Sequence, residues 1–327
     1  MSAQARTALL APDSFKGTMT AAEVAAALAA GFESAGWRFD ACPLGDGGEG
    51  TGAAIAAAVG GDWVEAVATD PLGRQVDAGY HLLAGGDVAV VEVAAASGLA
   101  LLAPAERDPL VATSRGTGEL IARAARDAAE VLIAVGGSAT TDGGAGALAA
   151  IDDAGGIGSA RLVCLCDVTT PWELSAPTFA PQKGADAAAV AELETRLERL
   201  AATLPRDPRG VPATGAAGGI SGALWARFGA ELCAGAEHVC DVASFDARAQ
   251  AAALVVTGEG RLDATTMEGK VVAEVARRSR ALGRPLHAVV GRDDSGDEVR
   301  AELGLASVRE AGDETGLARA AAQIAVG

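Results

Sequence analysis

Val131–Gly146 reads VLIAVGGSATTDGGAG. An apolar β-type run, VLIAV, passes into a segment with five glycines, a serine, two threonines and an aspartate. A short apolar run ending in a glycine cluster is the pattern of a buried parallel strand entering a loop. The alanine-rich Ala147–Ile151 behind it predicts the start of a helix. Glycine lets a backbone approach a ligand closely and a helix N-terminus is electropositive, so this strand–loop–helix unit suits an anion. Ser138, Thr140 and Thr141 add hydroxyls that donate to phosphate oxygens, and Asp142 can hold Mg²⁺ or take a proton. These are the parts of a phosphoryl-transfer site. A tight turn needing glycine only for its φ angles reads the same way.

The 327 residues around this loop suffice for two domains or one large α/β domain. Half are hydrophobic but only 3% are aromatic, so alanine and glycine carry much of the apolar count. A net charge of −17 argues against sequence-independent nucleic-acid binding and against an anionic membrane surface. The opening MSAQARTALLAPDS lacks the apolar core of a signal peptide, and the longest apolar stretches break at Glu or Gly short of a membrane span. Cysteines 42, 164, 166, 233 and 240 form an odd set without CxxC, which predicts reduced thiols in a cytoplasmic protein. Histidines 81, 238 and 287 are too scattered for a zinc motif. Of 26 basic residues only Lys16, Lys183 and Lys270 are lysines, and each adjoins a glycine. In a chain that otherwise uses arginine, a lysine marks places where a compact point charge matters, as at a phosphate.

The segments on either side of the central loop repeat its texture. Thr7–Pro12 predicts a strand ending in Asp13-Ser14-Phe15-Lys16-Gly17, and Thr20-x-x-Glu23 is a capping box predicting a helix over about 21–34. Asp13, Ser14 and Lys16 then lie on a strand-to-helix loop, where open α/β sheets bind ligands. Arg38–Leu44 predicts a second strand, followed by Asp46-Gly47-Gly48-Glu49-Gly50, which repeats the DGGxG of Asp142–Gly146. Asp46 and Glu49 can hold Mg²⁺ through one or two carboxylates plus phosphate oxygens, or serve only as turn residues. Trp63–Val93 alternates β-type segments with Asp70-Pro71-Leu72-Gly73 and Gly85-Gly86-Asp87, the signals of an antiparallel meander and of a second domain beginning near residue 65. AAASG at 94–98 and DPLVATSRGTG at 108–118 predict loops, with Arg115 placed to take a carboxylate or phosphate before a helix over 119–129. Asp167 ends the strand 161–168, and Lys183 precedes the helix 187–204. Leu254–Val256 enters Thr257-Gly258-Glu259-Gly260-Arg261 and then Lys270, with a helix over 271–280 and strands over 285–291 and 303–310. Neither a Walker loop nor a well-placed GxGxxG is present.

Ten motifs in order resemble one family: APDSFKG, DGGEGT, DPLGR, EVAAASGL, RDPLVATSRGTGELI, VGGSATTDGGAGAL, CDVTTP, FAPQKGAD, GAAGGISGAL and VTGEGRLDATTMEGK. They resemble the type-1 bacterial glycerate kinases, which are glycerate 2-kinases. The resemblance implies an α/β fold of two domains, a flavodoxin-like parallel-sheet domain with a restriction-endonuclease-like, mixed-sheet α/β domain inserted. We expect the first over residues 1–65 and 245–327 and the second over 66–244. The resemblance also implies an active site in the cleft between them, ATP and Mg²⁺ as cofactors, D-glycerate as acceptor and 2-phospho-D-glycerate as product.

Chemistry applied to the matched positions gives the expected roles. Asp13, Lys16, Asp142, Asp167 and Lys183 are the catalytic candidates. Ser14, Ser97, Arg115 and Arg261 are candidates for the substrate. Gly136, Gly137, Ser138, Thr140, Gly143, Gly258, Glu259 and Lys270 are candidates for the nucleotide, and Asp46, Glu49 and Asp142 for the metal. The chain departs from the family pattern after Asp167, where a glycine-rich turn expected between Pro171 and Phe179 is missing, in the short stretch before Arg161, and after Gly291, where it ends early. A shortened rim would favour another small hydroxy acid as acceptor, or a ligand-binding relative without turnover. Oligomeric state is not encoded in any of these signals.

Overall fold

The computed structural model describes residues 6–267 and 269–327. Among these residues the chain forms thirteen strands: β1 Thr7–Leu10, β2 Arg38–Ala41, β3 Gly61–Thr69, β4 Gln75–Leu83, β5 Val88–Glu92, β6 Glu130–Ala134, β7 Arg161–Cys166, β8 Glu231–Ala234, β9 Leu254–Thr257, β10 Arg261–Leu262, β11 Leu286–Val290, β12 Arg292–Asp293 and β13 Ser307–Glu310. They fall into two compact units. The first holds the chain up to Asp46, Ala53–Val59 and Ala236–Gly327, and the second holds Gly47–Gly52 and Gly60–Gly235.

The first unit is built on a five-stranded sheet in the order β13-β11-β9-β1-β2, with every pairing parallel. Counted within the unit, that is the flavodoxin order 2-1-3-4-5. The inner strands β1, β9 and β11 are short and buried on both faces, as parallel strands covered by helices must be, while the edge strands β2 and β13 are more exposed. Thr20 caps the helix Ala21–Ser34 through the expected box, its hydroxyl accepting from the Glu23 N–H while the Glu23 carboxylate accepts from the Thr20 N–H. That helix buries Val24, Leu28 and Phe32 against Leu10, Val256, Val289 and Leu317. It lies so close to the helix Glu314–Val326 that a Cβ on Gly31 would stand 2.1 Å from the Ala318 carbonyl oxygen.

The second unit carries a mixed six-stranded sheet in the order β3-β4-β5-β6-β7-β8. β3, β4 and β5 form the expected antiparallel meander, and β5 through β8 pair in parallel. The core gathers Tyr80, Leu120, Ile121, Val131, Ile133 and Cys164. A smaller cluster forms where Trp172 packs with Leu193 and Leu197 of the helix Ala187–Ala201.

Several local expectations shift. Residues 61–65 group with the second unit because β3 pairs with β4 from Gly61 onward. Residues 236–244 group with the first, where the Arg278 guanidinium bonds the Glu237 carbonyl and the Asp241 carboxylate. The stretch expected as a loop at 94–98 is a short helix, Val93–Ser97, and Arg115 opens the helix Arg115–Asp127 instead of preceding it. Leu303 closes the helix Gly296–Leu303 and is not part of the last strand. Where a glycine-rich turn was expected after Asp167, the chain makes the short helices Trp172–Leu174 and Ser175–Phe179.

Candidate functional site

In the first unit β1 leads to β2 on one side of the sheet and β9 leads to β11 on the other, so the order reverses at the β1/β9 junction. Open α/β sheets bind ligands at such a point, beyond the carboxyl ends of the strands. The loops after these strands are laced together. The Asp13 N–H donates to the Gly258 carbonyl at 2.8 Å, and the Thr257 hydroxyl donates to the Ala11 carbonyl at 2.9 Å. The Gly291 and Arg292 N–H groups donate to the Glu259 and Gly260 carbonyls, each at 3.0 Å. Gly258 is required for packing: its Cβ would lie 2.1 Å from the Val289 carbonyl oxygen.

A cavity of about 490 Å³ opens above these loops. Of the expected site residues it collects Asp13, Ser14, Lys16, Asp46, Glu259, Arg261 and Lys270, and it adds Asp263 and Arg292. Asp13 is 8% exposed. Burial, then the nearby Asp46 carboxylate, pushes its carboxyl up to about 7 against the pull of the Ser14 N–H and Lys16. Burial likewise raises Glu259 to about 7, although its carboxylate accepts the Thr266 hydroxyl at 2.6 Å. Lys270 donates to the Thr265 hydroxyl at 2.7 Å, and Arg261 stands 2.8 Å from the Asp294 carboxylate. The cavity therefore pairs carboxylates held near neutrality with four cationic side chains. That suits an anionic ligand from which a proton must be removed.

In the second unit the loop after β6 borders a smaller cavity, about 220 Å³, lined by Gly136, Gly137, Ser138, Asp167, Gln182 and Lys183 among others. Lys183 is buried, and its Nζ lies 2.9 Å from the Ser138 hydroxyl and 2.6 Å from the Thr140 carbonyl. Burial brings its amine down to about 7, with Asp142 opposing. The Thr140 and Thr141 hydroxyls are buried without a hydrogen-bond partner.

The remaining expected residues line neither cavity. The Asp142 carboxylate accepts from the Ser114 N–H and hydroxyl and from the Gly144 and Gly146 N–H groups, so it is occupied in holding the loop. A Cβ on Gly143 would meet Leu200 at 2.6 Å, which turns this glycine toward the helix Ala187–Ala201. Ser97 is fully buried and accepts from the Thr117 hydroxyl at 2.7 Å. Arg115 binds Glu119 at 3.1 Å and Asp153 at 2.8 Å. Glu49 is exposed, and the N–H groups of Gly50 and Gly52, at the start of the helix Thr51–Val59, donate to the Glu92 carboxylate. Among the described residues no group of three or more His, Cys, Asp or Glu is arranged to hold a metal ion. A magnesium ion here would rely on one or two carboxylates and on its ligand's phosphates, as this ion commonly does.

Sequence reasoning missed Arg292 and Ser114. The signal for Arg292 was its position directly after a parallel-type strand and a glycine, the same context as Gly260-Arg261. Ser114 carried no local signal, since its partner is 28 residues away.

A model of the glycerate kinase family matches residues 8–154 and 153–325. The glycerate 2-kinase of Escherichia coli (strain K12) is 38% identical over 328 residues, spanning 88% of this chain and 86% of that one. The glycerate kinase of Bacillus subtilis (strain 168) is 36% identical over 323 residues, spanning 86% and 84%. The crystal structure of a glycerate kinase 2 candidate from Salmonella typhimurium LT2 has a TM-score of 0.86 at 34% identity, over 99% of this chain and 98% of that one. Similarity of this extent, over both units, shows that the chain belongs to the glycerate kinase family.

Proposed function

We propose that this protein transfers the terminal phosphoryl group of ATP to the 2-hydroxyl of D-glycerate, giving 2-phospho-D-glycerate. The cavity of the first unit carries the reading: a buried Asp13 held up to about 7 stands in one space with Lys16, Arg261, Lys270 and Arg292. Phosphoryl transfer asks a protein for positioning and charge neutralisation, with a base or orienting group for the attacking hydroxyl. Asp13 would accept the hydroxyl proton, and a carboxyl near 7 is matched to that task at neutral pH. Arg261 offers a planar fork for the glycerate carboxylate, and Lys16 offers a point charge for the transferring group. Asp46 and Glu259, buried with Asp13, fit a Mg²⁺ ion, because a divalent cation would offset the repulsion among three carboxylates. Bound there, the ion would neutralise charge on the phosphates.

The glycine loop at 136–138 and Lys183 fit a phosphoryl group in the second unit. The choice of the 2-hydroxyl is supported by the name of the Escherichia coli relative. The buried thiols of Cys42, Cys164, Cys166 and Cys240 fit a reducing, cytoplasmic setting.

The test is ADP release from ATP with Mg²⁺ and D-glycerate, followed by ³¹P NMR of the product. A 2-phosphoglycerate signal is expected. A 3-phosphoglycerate signal would overturn the regiochemistry alone. No turnover with glycerate but turnover with another short hydroxy acid would move the acceptor. Binding without ADP release would overturn the kinase reading.

A further inference from the structure

The ammonium position of Lys183 lacks a counter-charge. The residue is 6% exposed, and among the described residues no carboxylate lies within 4.0 Å of its Nζ. The acidic groups that face it are Asp142, whose carboxylate already accepts four donors from the backbone and Ser114, and Asp167, which lines the same cavity. A charged amine buried in this way is costly, whereas a neutral one is well served. Its Nζ donates to the Thr140 carbonyl at 2.6 Å and to the Ser138 hydroxyl at 2.9 Å, two bonds that the two N–H groups of a neutral amine can make. The other wall is glycine, packed against the chain behind it. Gly136 has no room for a side chain, since its Cβ would stand 2.5 Å from the Gly48 Cα, and Gly137 has φ +74°. About 220 Å³ is small beside the roughly 300–1,000 Å³ of pockets that enclose whole drug-sized ligands, and suits a phosphoryl group with a few attached atoms.

We propose that the cavity at Lys183 binds the phosphoryl group of a phosphate-bearing ligand, and that the lysine becomes charged only as the anion enters, taking one proton from solvent. The inference rests on the kinase reading and deepens it. The balance is simple: the neutral amine plus a solvent proton gives the ammonium, and the dianion supplies the charge that the protein withholds. Burial that brings the lysine down to about 7 is consistent with a neutral resting state in mildly alkaline solution. The phosphoryl group can come from the nucleotide or from the phosphorylated acid.

Isothermal titration calorimetry at pH 8, in two buffers of different ionisation enthalpy, tests this on the full chain. The probes are ATP with Mg²⁺ and, separately, 2-phospho-D-glycerate, both ionised before mixing. At least one is expected to bind with uptake of about one proton per protein, and the probe that does so identifies the source of the phosphate. Lys183→Met is expected to lose the uptake and to bind that probe at least tenfold more weakly. Lys183→Arg, always charged, is expected to bind without uptake, and it serves if the methionine variant fails to fold. Binding without proton uptake, or uptake that survives in Lys183→Arg, overturns the inference while turnover leaves the kinase reading standing. No binding together with no turnover overturns both.

Discussion

The Asp142 carboxylate accepts both the backbone N–H of Ser114, at 2.9 Å, and its hydroxyl, at 2.8 Å. The same Ser114 oxygen accepts the Ala147 N–H at 3.0 Å, so one serine ties the acidic end of the glycine loop to the helix behind it. Ser114→Ala leaves a buried N–H and part of a carboxylate without partners, and a cost of about 1–3 kcal/mol is expected. Urea denaturation reads this directly. A variant as stable as its parent would show that these bonds do not hold the loop.

Gly258 is expected to tolerate no side chain. Its Cβ would stand 2.1 Å from the Val289 carbonyl oxygen, which is backbone of the neighbouring strand and not a side chain that can swing away. Gly258→Ala is expected to lose about 1–3 kcal/mol by overpacking, seen as a lower thermal midpoint. An unchanged midpoint would mean that β9 and β11 separate more readily than their pairing indicates.

For Asp13 the sign of the pH effect is fixed by its direction of shift. The carboxyl is raised from 3.8 to about 7 on folding, so the folded state binds more protons over that range. Its contribution to stability is therefore fullest below 3.8 and falls as pH rises through about 7. Asp13→Asn is expected to melt higher than the parent at pH 8 and close to it at pH 4. It should also lose roughly 10²–10⁴ in turnover, and the parent's rate should rise with pH through a value that Mg²⁺ bound beside Asp13 would bring below about 7. Thermal shift at the two pH values and a pH–rate profile check both halves. A variant that is active but no more stable at pH 8 would remove Asp13 from the role of base.

Arg115 serves as the control. Its guanidinium bridges Glu119 and Asp153 at the surface of two helices, and exposed pairs of this kind are worth about 0–1 kcal/mol. Arg115→Ala is expected to change kcat/KM less than about threefold, because a substrate ligand would cost far more. A loss of a hundredfold in steady-state assays would restore it to the substrate site.

The capping box at Thr20 and Glu23 was legible because its two bonds join residues three apart, and the helix Ala21–Ser34 follows it. The strand-to-loop transitions at Asp13, Asp46, Asp167 and Glu259 were legible for a similar reason: apolar runs that end in glycine and acid mark the ends of parallel strands. Of the six cationic and acidic candidates around the first cavity, only Lys270 lies away from such an end. The different task of Asp142 was not legible. Its DGGxG context matches that of Asp46, yet Asp46 lines a cavity while Asp142 is held by Ser114.

By itself the sequence determined what depends on local bonds and periodicity: the βα texture, the meander of β3–β5, the glycine loops and the candidate acids and lysines. Tertiary structure decided what depends on sheet order and burial. The order β13-β11-β9-β1-β2 brings Arg292 beside residues more than 270 positions earlier in the chain, at Asp13 and Lys16. Burial, which no residue encodes alone, raises Asp13 and Glu259 and lowers Lys183 toward neutrality, since withdrawing a charged group from water disfavours its charged form.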